Sequence, residues 1–219
     1  MATDIWVNGE GDAWYARNAR ALSDASRIRA DVTLSLVATI PPPQSVLEIG
    51  CASGWRLDEI QRRYGSACCG VDVAQDAIAA GLERYPDLCL EVGRADYLPF
   101  QASAYDLVIF AFTLHWIERS KLAMVVAEAD RVLALGGHLI VTDFLPNVPV
   151  KNRYHHREDI ELWTYKQRYA LCWQALGTYR EIRRQLFDHD TGALGDCAPS
   201  VRAAAVLLRK EEVYRCGSR

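Results

Sequence analysis

The run Val46-Leu47-Glu48-Ile49-Gly50-Cys51-Ala52-Ser53-Gly54 constrains this chain more than any other segment. Apolar residues around a single acid predict a buried parallel strand. A Gly-x-small-x-Gly turn follows and leads into a helix predicted from Trp55 to Tyr64. Such a strand–turn–helix brings backbone to a place where a ligand can approach closely. Glu48, two positions before Gly50, decides the kind of ligand. Dinucleotide folds keep that position apolar and aim a helix N-terminus at a pyrophosphate. A carboxylate would repel a pyrophosphate and suits an ammonium or sulfonium group. Position 55 is Trp, so the third glycine of G-x-G-x-x-G is missing and an NAD enzyme is disfavoured.

Strand and helix patterns then alternate: Ser45–Ile49, Cys68–Val73, a helix over Gln75–Arg84, Cys89–Val92, Tyr105–Phe110, a helix over Ser120–Leu133, and His138–Asp143. Alternation with short connections predicts an α/β fold, a parallel sheet covered on both faces. Residues 10 to 40 read as two helices, the first with an Asp12 N-cap, the second ended by Pro41-Pro42-Pro43. A helix is expected around Tyr165 to Leu176. Two late strands, near Glu181–Phe187 and Ala203–Leu208, can pair as an antiparallel edge.

Five segments in order resemble the class I S-adenosylmethionine (SAM) methyltransferases. Glu48 to Gly54 is similar to their first motif, with Ala52 where that family usually has glycine. Val71-Asp72-Val73 lies 22 positions after Gly50 and resembles the acid ending the second strand. Ala95-Asp96-Tyr97-Leu98-Pro99-Phe100, Tyr105-Asp106-Leu107-Val108-Ile109-Phe110 with Thr113-Leu114-His115-Trp116, and Leu133 to Val141 resemble the later segments. The resemblance implies a Rossmann-like doubly wound seven-stranded sheet, mostly parallel with an antiparallel C-terminal edge, plus N-terminal helices. It implies one domain over 1–219: a helical cap (1–43), a SAM-binding core (44–143), an acceptor-side insertion (144–180) and C-terminal strands (181–219).

It also implies roles for residues. Glu48 with Gly50, Cys51, Ala52, Ser53 and Gly54 would hold the methionine half of SAM. Asp72 would accept from the ribose hydroxyls beside Val73, with a solvated helix N-cap as the alternative. Asp96 and Tyr97 would lie by the adenine, unless Asp96 only makes an Asx-type turn before Pro99. Phe110, Ala111 and Phe112 end strand four, where open α/β sheets bind ligands. The stretch from Trp6 to Asn18 resembles the opening of methylases associated with pseudaminic acid biosynthesis. There Trp6 and Tyr15 could pack on a sulfonium for roughly 0.5–2 kcal/mol.

His115 follows strand four and is either a general base or a packing residue; histidine titrates near neutral pH. His155 and His156, in the insertion, are further candidates. Their adjacency lacks i, i+4 geometry and does not suit zinc, so no metal is expected. Residues 151–184 carry eight Lys/Arg against four acids, on a chain whose net charge is −3. A cationic lid fits an anionic small acceptor, and equally a solvated helical surface.

The negative net charge argues against a nucleic-acid partner. No apolar run reaches membrane-spanning length. The opening Met1-Ala2-Thr3-Asp4-Ile5-Trp6 has neither a basic start nor an apolar stretch, and the seven cysteines form no CxxC pair. Reduced thiols in a cytoplasmic monomer or homodimer are expected. The expected activity is methyl transfer from SAM, with S-adenosylhomocysteine (SAH) as product, to O or N of a small anionic metabolite or sugar intermediate. The rivals are a lipid or quinone methyltransferase and a non-catalytic SAM-binding protein.

Overall fold

The structure is a computed structural model and describes residues 5–24, 30–157, 159 and 161–212. The expected chain start at 1–4, the middle of the N-terminal helical region at 25–29, and Glu158 of the charged insertion lie outside the described residues.

A wide turn, Trp6–Glu10, leads into α1 (Gly11–Leu22), and α2 (Val32–Val37) follows. Then come β1 (Ser45–Ile49), α3 (Trp55–Tyr64), β2 (Ala67–Asp72), α4 (Gln75–Arg84), β3 (Cys89–Val92), β4 (Tyr105–Ala111), a 3-10 turn Leu114–Trp116, α5 (Leu122–Val132) and β5 (Leu133–Phe144). The sheet order is β3-β2-β1-β4-β5-β9-β8, with β8 (Tyr179–Asp188) and β9 (Arg202–Lys210). The Rossmann-like seven-stranded sheet expected from the sequence is therefore present. β9 runs antiparallel to both β5 and β8, so the reversal lies one strand in from the edge.

Burial explains that placement. Ala203 to Leu208 is apolar without alternation and is buried throughout, which suits an interior strand. β8 carries Glu181, Arg183 and Arg184, and its charges suit an exposed edge. In β1 and β4 the period of two divides the core. Leu47, Ile49, Val108 and Phe110 face α5, while Val46, Leu107 and Ile109 face α2 and α3.

Two local expectations need correction. The spacing of Tyr165, Tyr169 and Trp173 predicts one helical face, but the chain forms a hairpin of β6 (Val150–Arg153) and β7 (Trp163–Lys166). Tyr165 pairs with Lys151 across it, and only a short α6 (Ala170–Gln174) remains helical. Tertiary pairing overrode a four-residue period too short to define a helix. Asp12 does not cap its own helix. It sits in the first turn of α1, and its carboxylate accepts the Asp76 N–H at 2.9 Å, tying α1 to the start of α4.

Candidate active site

The turn after β1 is held by the neighbouring strand. Gly50 and Cys51 N–H both donate to Val71 O, at 2.7 and 3.2 Å, and Gly54 N–H donates to Cys51 O at 2.9 Å. Ala52 N–H donates to Asp72 Oδ2 at 2.8 Å, and Asp72 Oδ1 accepts from Ala74 N–H at 2.9 Å. These four turn amides are thus spent inside the fold rather than offered to a phosphate. Gly50 has φ +79°, and a Cβ there would stand 2.2 Å from Thr113 Oγ1. The glycine is required on both counts. Ala52 takes φ +48°, which a small residue adopts at modest cost.

Glu48 is fully buried beneath this turn. One carboxylate oxygen accepts from Arg56 Nη1, while Oε2 has no partner among the described residues. Arg56 also donates to Asp31 at 3.1 and 3.3 Å, and Asp31 caps α2 through Leu34 N–H at 2.8 Å. Burial pushes the Glu48 carboxyl up to about 7, with Arg56 opposing and Asp31 and Asp72 adding to the rise. Two carboxylates, Glu48 and Asp31, therefore share one buried guanidinium, and Asp72 adds negative charge nearby. The surplus negative charge and the orphaned oxygen suit a cationic ligand group.

Asp72 and Val73 lie at the end of β2, against the start of α1. A Cβ on Gly11 would meet Val73 Cγ2 at 3.2 Å and Ala74 Cα at 3.4 Å. Burial raises the Asp72 carboxyl, and its backbone hydrogen bonds oppose that rise. Asp96 is gripped by a two-pronged Arg94 fork at 2.9 and 2.8 Å, with Lys121 at 3.5 Å, so its carboxyl is held below the ordinary range. Tyr97 beside it is 77% exposed. Tyr15 is half-buried on α1.

An aromatic group around Trp6 gathers residues from three regions. Trp6 packs on Trp116 at 4.7 Å and Tyr154 at 5.6 Å, Trp116 meets Tyr154 at 5.3 Å, and His115 meets Trp116 at 4.4 Å. Glu10, buried beside them, accepts from Tyr154 Oη at 2.8 Å, from Arg17 and, at 3.5 Å, from Arg157. The N-terminal segment is thus latched to the loop following β6. His155 and His156 lie against each other at 3.9 Å with their rings tilted, and both are exposed.

His115 is buried, 4% exposed. Its Nδ1 lies 3.0 Å from Asp143 Oδ1 and its backbone N–H donates to Asp143 Oδ2 at 3.1 Å. A carboxylate partner only accepts, so in this pairing Nδ1 would donate and Nε2 would be the free ring nitrogen. Among the described residues nothing is hydrogen-bonded to Nε2. Arg119 fixes the 3-10 turn by donating to Leu114 O and Ile117 O, and its guanidinium lies over the Tyr165 ring at 4.6 Å.

Phe112, just past β4, takes φ +56°, a strained value for an aromatic residue. It packs on Phe144 at 5.4 Å and His189 at 5.0 Å. Asp143 and His189 stand in no motif of the sequence, whereas Glu10 falls within the stretch from Trp6 to Asn18 and Lys166 belongs to the cationic run of 151–184. Asp143 lies at the end of β5, 28 positions after the histidine that follows β4, so no local pattern pairs the two.

Residues 46–137 match the family model described as Methyltransferase domain. The chain is 24% identical over 202 residues to the malonyl-[acyl-carrier protein] O-methyltransferase of Legionella pneumophila, covering 87% of this chain and 62% of that protein. It is 27% identical over 146 residues to the ubiquinone/menaquinone biosynthesis C-methyltransferase of Allorhizobium ampelinum, covering 60% of this chain and 54% of that one. The chain thus spans about half to less than two-thirds of the length of these curated relatives. Its fold is similar to that of the Burkholderia thailandensis 1,6-didemethyltoxoflavin-N1-methyltransferase with bound SAH. The TM-score is 0.73 at 15% identity, over 94% of this chain and 88% of that one. The Bradyrhizobium japonicum N-methyltransferase NodS with SAH gives 0.64 at 17% identity, over 90% and 98%.

Proposed function

We propose that this chain, a member of the class I SAM-dependent methyltransferases, transfers a methyl group to O or N of a small, water-soluble, anionic metabolite. The observation that carries the proposal is the unpartnered Glu48 Oε2, buried under the Gly50–Gly54 turn in an excess of carboxylate. The residues fit SAM, which carries an ammonium and a sulfonium, better than they fit a dinucleotide. When bound, SAM supplies an electrophilic methyl group and leaves as SAH.

Glu48 would accept from the ammonium, with Gly50, Cys51, Ala52, Ser53 and Gly54 keeping side chains out of its way. Asp72 would take the ribose hydroxyls on lone pairs its two backbone donors leave free, beside Val73. Tyr97 would cover the adenine, with Asp96 near it once the Arg94 fork yields. Phe110, Ala111 and Phe112 would floor the methyl end, and Tyr15 would help α1 close the ribose side. Trp6, with Trp116, would face the sulfonium and exclude water.

His115 would take the acceptor's proton at Nε2, oriented by Asp143. In-line positioning would contribute more, roughly 7–11 kcal/mol of the barrier. His155 and His156, exposed beyond Tyr154, would serve entry of the acceptor rather than proton transfer. The 144–180 segment would form the acceptor side and 1–43 the cap.

The relatives include an acyl-carrier-protein O-methyltransferase and a ubiquinone/menaquinone C-methyltransferase. A lipid or quinone acceptor is the rival reading, and the charged hairpin β6–β7 weighs against it. No described helix is long and apolar enough to cross a membrane. The test is incubation with methyl-labelled SAM and a fractionated extract of the source cells. Label in a small, anionic, water-soluble fraction is the expected result. Label confined to the lipid fraction would replace it with the rival, and absence of transfer with SAH bound would leave a binding protein.

A further inference from the structure

The surplus of cations in residues 151–184 does not act as one surface. Arg157 pairs with Asp159 at 2.8 Å, Arg180 with Glu211 at 2.7 Å and Arg184 with Glu181 at 2.7 Å. Lys151 lies over the Trp163 ring at 3.9 Å. Lys166 is different. It ends β7 half-buried, with its Nζ 3.5 Å from the centre of the Phe144 ring. No carboxylate is paired with it among the described residues. Asp143 and Asp190 act on it only at a distance, and burial lowers its pKa.

Phe144 joins this ammonium to the rest of a cluster. It meets His115 at 5.1 Å, Phe112 at 5.4 Å and His189 at 4.7 Å. These residues stand at or just beyond the ends of β4, β5 and β8, on the side of the sheet where open α/β folds take ligands. His189 Nδ1 is engaged by Asp190 at 3.0 Å, which leaves its other nitrogen for a ligand.

We propose that Lys166, Phe112, Phe144 and His189 form the acceptor subsite, and that it takes a flat, conjugated carboxylate whose carboxyl group pairs with Lys166. The proposal rests on the methyltransferase reading above and narrows its acceptor class. A partly desolvated ammonium without a directly paired carboxylate gains most from a ligand that brings one. A single ammonium, a point charge, matches a monoanionic carboxylate better than a phosphate. Three aromatic rings around the position favour a planar skeleton over a sugar. Held there, the rest of the acceptor lies toward His115.

The probes are 4-hydroxybenzoate and its neutral isostere 4-hydroxybenzamide, titrated calorimetrically into the full chain saturated with SAH. Imidazole proton signals of His115 and His189 are followed in parallel. The benzoate should bind at least about tenfold more tightly than the benzamide and shift both histidines. Lys166→Met should erase that preference, and Lys166→Arg should keep most of it. SAH titrations of the same variants should be unchanged, showing that they fold. Equal binding of the two probes, no binding of either, or a Lys166→Met variant that still prefers the benzoate would each overturn the proposal. Loss of SAH binding by the unmodified chain would instead strike the cofactor reading.

Discussion

Asp143 holds His115 twice, through the ring Nδ1 at 3.0 Å and through the backbone N–H at 3.1 Å. The same carboxylate accepts Phe144 N–H at 2.8 Å. One acid at the end of β5 therefore fixes both the position and the protonation pattern of the residue proposed as base. Asparagine would keep the shape but could donate to Nδ1, which moves the ring proton to Nε2. Asp143→Asn should lower turnover by ~10²-fold or more with SAH affinity within about threefold. His115→Ala should do the same, and the double variant should be little slower than either single one. Near-normal turnover in His115→Ala would reduce the pair to a packing contact.

Glu48 gives a pH dependence whose sign is fixed. Its carboxyl is raised from an ordinary 4.5 to about 7 by burial. An ammonium ligand needs the ionised form, so SAH affinity should rise as pH climbs through 7 and level off above it. Below 7, binding should release close to one proton, read by calorimetry in buffers of different ionisation enthalpy. For folding, a raised carboxyl contributes stability that is complete below 4.5 and lost as pH rises through 7. The ligand-free protein should therefore melt lower at pH 8 than at pH 6. A flat affinity profile would contradict the assigned ammonium contact.

At Gly50 the backbone is left-handed and a Cβ would collide with Thr113. Gly50→Ala should cost on the order of 2–3 kcal/mol and weaken SAH binding. Adding Thr113→Ala should recover part of the stability, because it removes the Oγ1 and Cγ2 contacts but not the φ penalty. A thermal melt of the three proteins decides it.

Much of this architecture was legible in the chain. β1 and its turn stand out because a buried strand, an acid and glycines at fixed spacing admit few folds. β9 is legible because an unbroken apolar run fits only a strand covered on both faces. The pairing of Asp143 with His115 was not legible, because 28 residues and a whole helix separate the two. Asp12 misled for a related reason: its local pattern matches a helix cap, but the amide it serves is 64 positions away. The Tyr165, Tyr169 and Trp173 spacing matched a helix by coincidence. The alternation of Trp163-Thr164-Tyr165-Lys166 carried the strand signal instead.

Glu10 should act as the latch of the N-terminal segment. Glu10→Ala leaves Tyr154 Oη and Arg17 without their shared acceptor, a loss of about 1–3 kcal/mol. Amide hydrogen exchange in residues 5–22 should quicken while β1 to β5 stay protected, and SAH should dissociate faster. Unchanged exchange in that segment would show that Trp6 and α1 are held by packing alone.

The most direct test of the central claim is calorimetric titration of SAH into the wild-type chain, Glu48→Gln and Asp72→Ala, with thermal melts confirming that all three fold. The account predicts saturable one-to-one binding to the wild type and at least about tenfold weaker binding to each variant. Equal affinity in all three would contradict it and remove the cofactor from the Gly50–Gly54 turn.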